Sequence, residues 1–224
     1  MRELRDGIRR ALCAAVALAA AASASAAELT ILHNNDGEST LLGSPVRPTP
    51  PAANTGFGGI DFFAPMLAVQ KAAATAAGRD VITLSSGDNF LAGVAFAASQ
   101  RAGTYYDALA MAALDYDVIQ LGNHDFDFGP DVLADVIDQY RASGGKGIFI
   151  AANLSVAGEP ALQPLEASGV IAKSRIIERG AEAYGVIGVI TETLPTISSP
   201  RGATVSSVVA AVQQEVAALE AQGI

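Results

Sequence analysis

Apolar runs alternate along the chain with longer Ala-rich stretches, and this alternation predicts the main elements. Five β-rich runs recur, at residues 29–33, 81–84, 118–121, 147–151 and 184–190. Between them, residues 64–77, 105–114, 130–142 and 206–222 read as helices. Strands that are apolar at nearly every position bury both faces, so the pattern predicts an α/β sandwich with a covered sheet, and strand directions in it can be mixed. Pro130 suits a first helical position and Asp131 the first turn, while Gly144 and Gly145 stop that helix. Residues 43–59 are rich in Pro, Gly, Thr and Asn and read as a surface loop beside the end of the first strand.

The N-terminus follows a different pattern. Arg2, Arg5, Arg9 and Arg10 precede an apolar stretch at residues 11–22, then the small-residue run Ser23-Ala24-Ser25-Ala26-Ala27. That order is a secretory signal peptide with an Ala-x-Ala cleavage site, over residues 1–26. The stretch is shorter than the ~20 residues a spanning helix needs, so no stable membrane anchor is expected after cleavage. Residues 27–224 would form the mature chain. Cys13, the single cysteine, lies in the leader, which leaves no thiol for disulfides or catalysis. Export to the periplasm or the extracellular space is expected. The leader holds four Arg against Glu3 and Asp6, so its removal takes the net charge from −9 to −11. A domain this acidic is a poor partner for nucleic-acid polymers, whereas small phosphate compounds stay accessible where bound cations invert the local field.

The informative polar residues fall where strands end. The first run leads into Asn34-Asn35-Asp36-Gly37-Glu38, the second into Ser85-Ser86-Gly87-Asp88-Asn89, the third into Gly122-Asn123-His124-Asp125, and the fourth into Asn153. Any one of these would serve as a turn or a helix cap. Open α/β sheets, however, place ligands beyond the carboxyl ends of their strands, and parallel neighbours would bring Asp36, Asp88, Asn123 and His124 into one crevice. Carboxylates, an amide oxygen and an imidazole together suit divalent metals such as Mn, Fe, Zn or Mg.

These motifs resemble those of the calcineurin-like metallophosphoesterases. The longer forms Leu32-His33-Asn34-Asn35-Asp36, Ser86-Gly87-Asp88 and Gly122-Asn123-His124-Asp125-Phe126-Asp127 are similar to the 5′-nucleotidase branch, as are Gly58-Gly59 and Ala152-Asn153-Leu154. The resemblance covers roughly residues 29 to 220. It implies a four-layer α/β/β/α sandwich with mixed sheets, and two divalent metal ions drawn from Zn, Mn, Fe, Mg or Co. By that resemblance Asp36 would ligate the first metal, Asp88 would bridge both, and Asn123 would ligate the second. His124 would act on the phosphate, with Asp127 orienting it. His33 matches a position that is not a ligand and reads as structural.

Two departures limit the expectation. The family's first motif usually carries His two residues after its Asp, and here Glu38 stands in that place, either as a carboxylate ligand or turned outward with the first metal site weakened. The family's later His ligands have no counterpart, since His33 and His124 are the only histidines. Its C-terminal nucleotide-binding domain is also unmatched, so the chain reads as the N-terminal portion of such a domain, incomplete at its C-terminus and impaired in activity. The expected function is hydrolysis of phosphoesters in nucleotides, of the 5′-nucleotidase, cyclic phosphodiesterase or nucleotide-sugar hydrolase type. The alternative is a non-catalytic periplasmic module that binds metal or phosphate. A sulfur-compound hydrolase would share the same metal motifs.

Overall fold

The computed structural model describes residues 28–43 and 58–224; the leader and most of the 43–59 loop lie outside them. Strand β1 (Leu29–Asn34) leads to helix α1 (Ile60–Ala76) and β2 (Asp80–Ser85). Helices α2 (Val94–Ala102) and α3 (Tyr106–Leu114) follow, then β3 (Val118–Gln120), a single 3₁₀ turn (His124–Phe126) and α4 (Pro130–Ala142). The second half holds β4 (Ile148–Ile150), β5 (Leu154–Ser155), α5 (Gln163–Ala167) and β6 (Ile171–Ala172). It closes with β7 (Ser174–Arg179), β8 (Glu182–Ile187), α6 (Leu194–Ile197), β9 (Thr204–Val205) and α7 (Val208–Glu220).

Strands β1, β2, β3, β4 and β6 form one sheet in that order, and every pairing in it is parallel. One face carries the main core, where α1, α3 and α4 bury Leu67, Met111, Leu133 and Ile137 among Ile119, Leu121 and Phe149. The other face, with Ile82, Val118 and Ile150, packs on Ile177, Tyr184 and Val186 of the antiparallel hairpin β7–β8. Arg179 spans this junction, donating to the Val81 carbonyl at 2.8 Å and pairing with Asp117. Helix α7 covers the hairpin from outside, where Ser174 donates to Glu215 at 2.8 Å. The layers therefore run helix, sheet, hairpin, helix, as the four-layer expectation has it. Parallel and antiparallel strands are kept in separate sheets rather than mixed within one.

Several boundaries differ from the sequence reading. Helix α1 begins four residues before Ala64 and runs through Pro65, because burial of Ile60 and Phe63 against the core outweighs the backbone hydrogen bond that proline cannot donate. Residues 184–190 do not supply the fifth strand of the parallel sheet. They belong in part to the hairpin, and β6 takes the sheet position. The two-residue step from Arg179 to Glu182 turns the chain back, which favours the hairpin. Among the described residues no helix is long and apolar enough to cross a membrane.

Candidate active site

The parallel register places the ends of β1, β2 and β3 side by side, and the loops that leave them are stitched together through the main chain. The N–H groups of Asp36, Glu38 and Ser39 donate to the carbonyls of Gly87, Asp88 and Asn89 at 3.2, 2.9 and 3.1 Å. This course is strained: Asp36, Glu38, Ser39 and Asp88 all hold positive φ, between 46° and 54°. Side chains rarely adopt that region, and clusters of such residues mark positions where the fold aims a group.

Two glycines allow the second and third loops to touch. A Cβ on Gly87 would strike the backbone of Gln120 and Gly122, and one on Gly122 would strike Asp88. Asp125, buried from solvent, braces the same contact by accepting from Gly122 N–H at 2.8 Å and Asp88 N–H at 3.3 Å. Burial pushes its carboxyl up to about 7 against the opposing effect of those donors.

The chemistry-bearing side chains sit on this frame. Asp88 accepts the His124 backbone N–H at 2.7 Å. Its carboxyl is raised above the ordinary range, first by burial and also by the charges of Asp36 and Asp127. The His124 Nδ1 lies 2.6 Å from Asp127 Oδ2, and this bond raises the imidazole pKa, with Asp88 and Glu38 adding their charges. Asp127 is itself held by the Ser198 hydroxyl, which donates to Oδ1 at 2.8 Å. Asp36 and Glu38 are exposed, Asn123 is partly buried, and the Asn123 amide makes no hydrogen bond among the described residues.

The donor set fits divalent ions in part. Asp36 and Asp88 bring two carboxylates whose charges oppose each other, a repulsion that a cation relieves. Among the described residues, no three Asp, Glu, His or Cys side chains gather closely enough to hold an ion on their own. The amide oxygen of Asn123 would have to complete any such set.

Other candidates are placed elsewhere. His33 bonds Ser86 Oγ at 2.6 Å, in keeping with a structural role. Asn153 does not join the crevice; its amide donates to Ile190 and Ser206 carbonyls and accepts from Ile190 N–H, so its polar atoms fasten the α6 side of the fold. Ser198 was missed in the sequence, where a serine 71 positions from Asp127 carries no signal. Asp125 was visible only as part of the motif, and its grip on two backbone N–H groups has no sequence signature.

No model of a known family matches the chain. A mouse 5′-nucleotidase is 30% identical over 184 residues, which covers 80% of this chain and 29% of that protein. The crystal structure of a 5′-nucleotidase precursor from Thermus thermophilus superposes with a TM-score of 0.70 at 29% identity, over 88% of this chain and 35% of that one. The Haemophilus influenzae NAD nucleotidase shares the fold, with a TM-score of 0.71 at 23% identity over 88% of this chain and 32% of its own. Through these relatives and its four layers, the chain is homologous to 5′-nucleotidases, and it spans 29% of the length of the mouse relative.

Proposed function

We propose that residues 27–224 carry the phosphoester-cleaving portion of an exported nucleotide hydrolase acting on nucleoside monophosphates. The observation that supports this most is the meeting of Asp36, Asp88 and the His124–Asp127 pair at three successive strand exits. Asp36, Asp88 and Asn123 would hold the metal, with Glu38 beside them. Divalent ions bound there would supply positive charge to the phosphoryl oxygens and acidify water. The chain's own contribution is positional and protonic. Asp127 accepts from Nδ1–H, which leaves Nε2 of the imidazole to face the leaving oxygen, and the Asp127 bond favours the protonated ring that would donate there. The glycine-backed loops fix the Asp88 carboxylate against the His124 backbone, so it needs little rearrangement as charge develops.

Release of phosphate from AMP in the presence of Mn²⁺ tests this reading. His124→Asn is expected to lower kcat by roughly a hundredfold or more while metal binding persists. A chain that binds metal yet releases no phosphate with any divalent ion would sink the hydrolase reading. It would favour the non-catalytic metal- or phosphate-binding module, which the absence of a three-residue Asp/Glu/His/Cys cluster among the described residues already recommends as the second reading.

A further inference from the structure

Asp36 stands two residues beyond the end of β1, and its φ of 53° is a conformation that relaxes unless its surroundings hold it. On the far side of that bend, the main-chain bonds of residues 36, 38 and 39 tie the loop to its neighbour. On the near side the chain is fixed at Asn34, the last residue of β1. The Asn34 carbonyl accepts from Ser86 N–H at 2.9 Å, and its side-chain oxygen accepts from the Tyr116 hydroxyl at 2.7 Å. The second bond joins residues 82 positions apart, and it reaches past β2 from the chain just before β3.

Tyr116 is itself set rigidly. It is 2% exposed and belongs to the main core. Asp115 before it ends α3 in the left-handed conformation, at φ 54°. Lys71 of α1 donates to the Leu114 and Asp115 carbonyls at 3.0 and 2.9 Å. Asp117 after it accepts from Thr83 N–H of β2 at 2.9 Å. Gly147, at the approach to β4, lies so close that a Cβ there would strike the Tyr116 carbonyl. The phenol is therefore held from α1, α3, β2 and β4, and a buried hydroxyl so placed directs its partner rather than following it.

We propose that Tyr116 is a positioning residue for Asp36: through Asn34 it fixes the exit of β1 at the angle from which the strained loop closes on its neighbour. It touches neither metal nor substrate. The brace is a property of the chain alone, whereas its bearing on metal rests on the proposed function, in which Asp36 is a ligand.

Amide hydrogen exchange of the metal-free full chain, resolved by NMR, tests the brace. Tyr116→Phe keeps the ring and removes the bond, and should speed exchange at the Asp36, Glu38 and Ser39 N–H groups by about fivefold or more. Asn34→Ala should do the same, and adding Tyr116→Phe to it should change those rates by less than about twofold. Tyr140→Phe also removes a buried hydroxyl, one that accepts from Gly147 N–H at 2.8 Å, and should leave the three groups as in the parent. Unchanged exchange in Tyr116→Phe, equal acceleration in Tyr140→Phe, or additive effects of Tyr116→Phe and Asn34→Ala overturns the proposal. Mn²⁺ affinity, read from the EPR signal of the free ion, separates the two readings. Faster exchange together with Mn²⁺ binding weakened by about tenfold supports both. Faster exchange with the parent's Mn²⁺ affinity keeps the brace and removes Asp36 as a ligand. A parent chain that binds no Mn²⁺ removes the metal reading and leaves exchange to decide the brace.

Discussion

The Ser198 hydroxyl steadies Asp127, and Asp127 steadies the imidazole of His124, so Ser198 would bear on the proton that the proposed reaction takes from that ring. Ser198→Ala should lower kcat by about three- to tenfold with KM nearly unchanged, and Ser198→Thr should restore most of it. Asp127→Asn removes the imidazole's anchor and should cost roughly a hundredfold or more in kcat. At Asp107, burial raises the carboxyl from 3.8 to about 6, so the sign is that of a destabilising charge. Below pH 3.8 both folded and unfolded chains are protonated there and nothing is lost. Between that value and about 6 the unfolded chain releases its proton first, so stability falls as pH rises, by up to about 3 kcal/mol. Thermal melts from pH 4 to 7 should therefore show a steeper decline for the parent chain than for Asp107→Asn. Parallel curves would remove Asp107 as the cause.

Among the elements, the turns after β2 and β3 carry the tightest packing in the site. Gly122→Ala puts a methyl group into Asp88 and the backbone beside it, and should cost at least about 2 kcal/mol, together with most of the activity. A melt within a degree of the parent's would show that the loops can part without penalty. Helix α4 was legible to the residue, since Pro130 and Gly144 punctuate it at both ends. The hairpin strand β7 was not, because Arg175, Glu178 and Arg179 break its apolar pattern, and Arg179 is retained there by its bond to the Val81 carbonyl. Helix α2 escaped notice as well. Only Phe96 and Ser99 are buried along it, too few positions to announce a periodic face. Strand β6, at two residues, is shorter than any periodicity can register.

For the whole molecule, the order and spacing of the three motifs carried more information than hydrophobic pattern did. Pattern predicted helices on a sheet; the motifs converge on one crevice only if three of its strands are parallel neighbours, and the register of β1, β2 and β3 meets that condition. Contacts distant in sequence, such as Asp127 with Ser198 or Asp88 with Asp125, exist only once the layers close. The first loop keeps its course through the N–H groups of Asp36, Glu38 and Ser39, and none of those bonds involves a side chain. If Glu38 ligates the proposed ion, position 38 could change its ligand without redrawing the loop, and the fold and the choice of metal would then be set separately. Glu38→His, a residue that tolerates positive φ, should melt near the parent and move the most effective ion from Mn²⁺ or Mg²⁺ toward Zn²⁺. On that proposal, a single codon would exchange one metal diet for another and leave the architecture undisturbed.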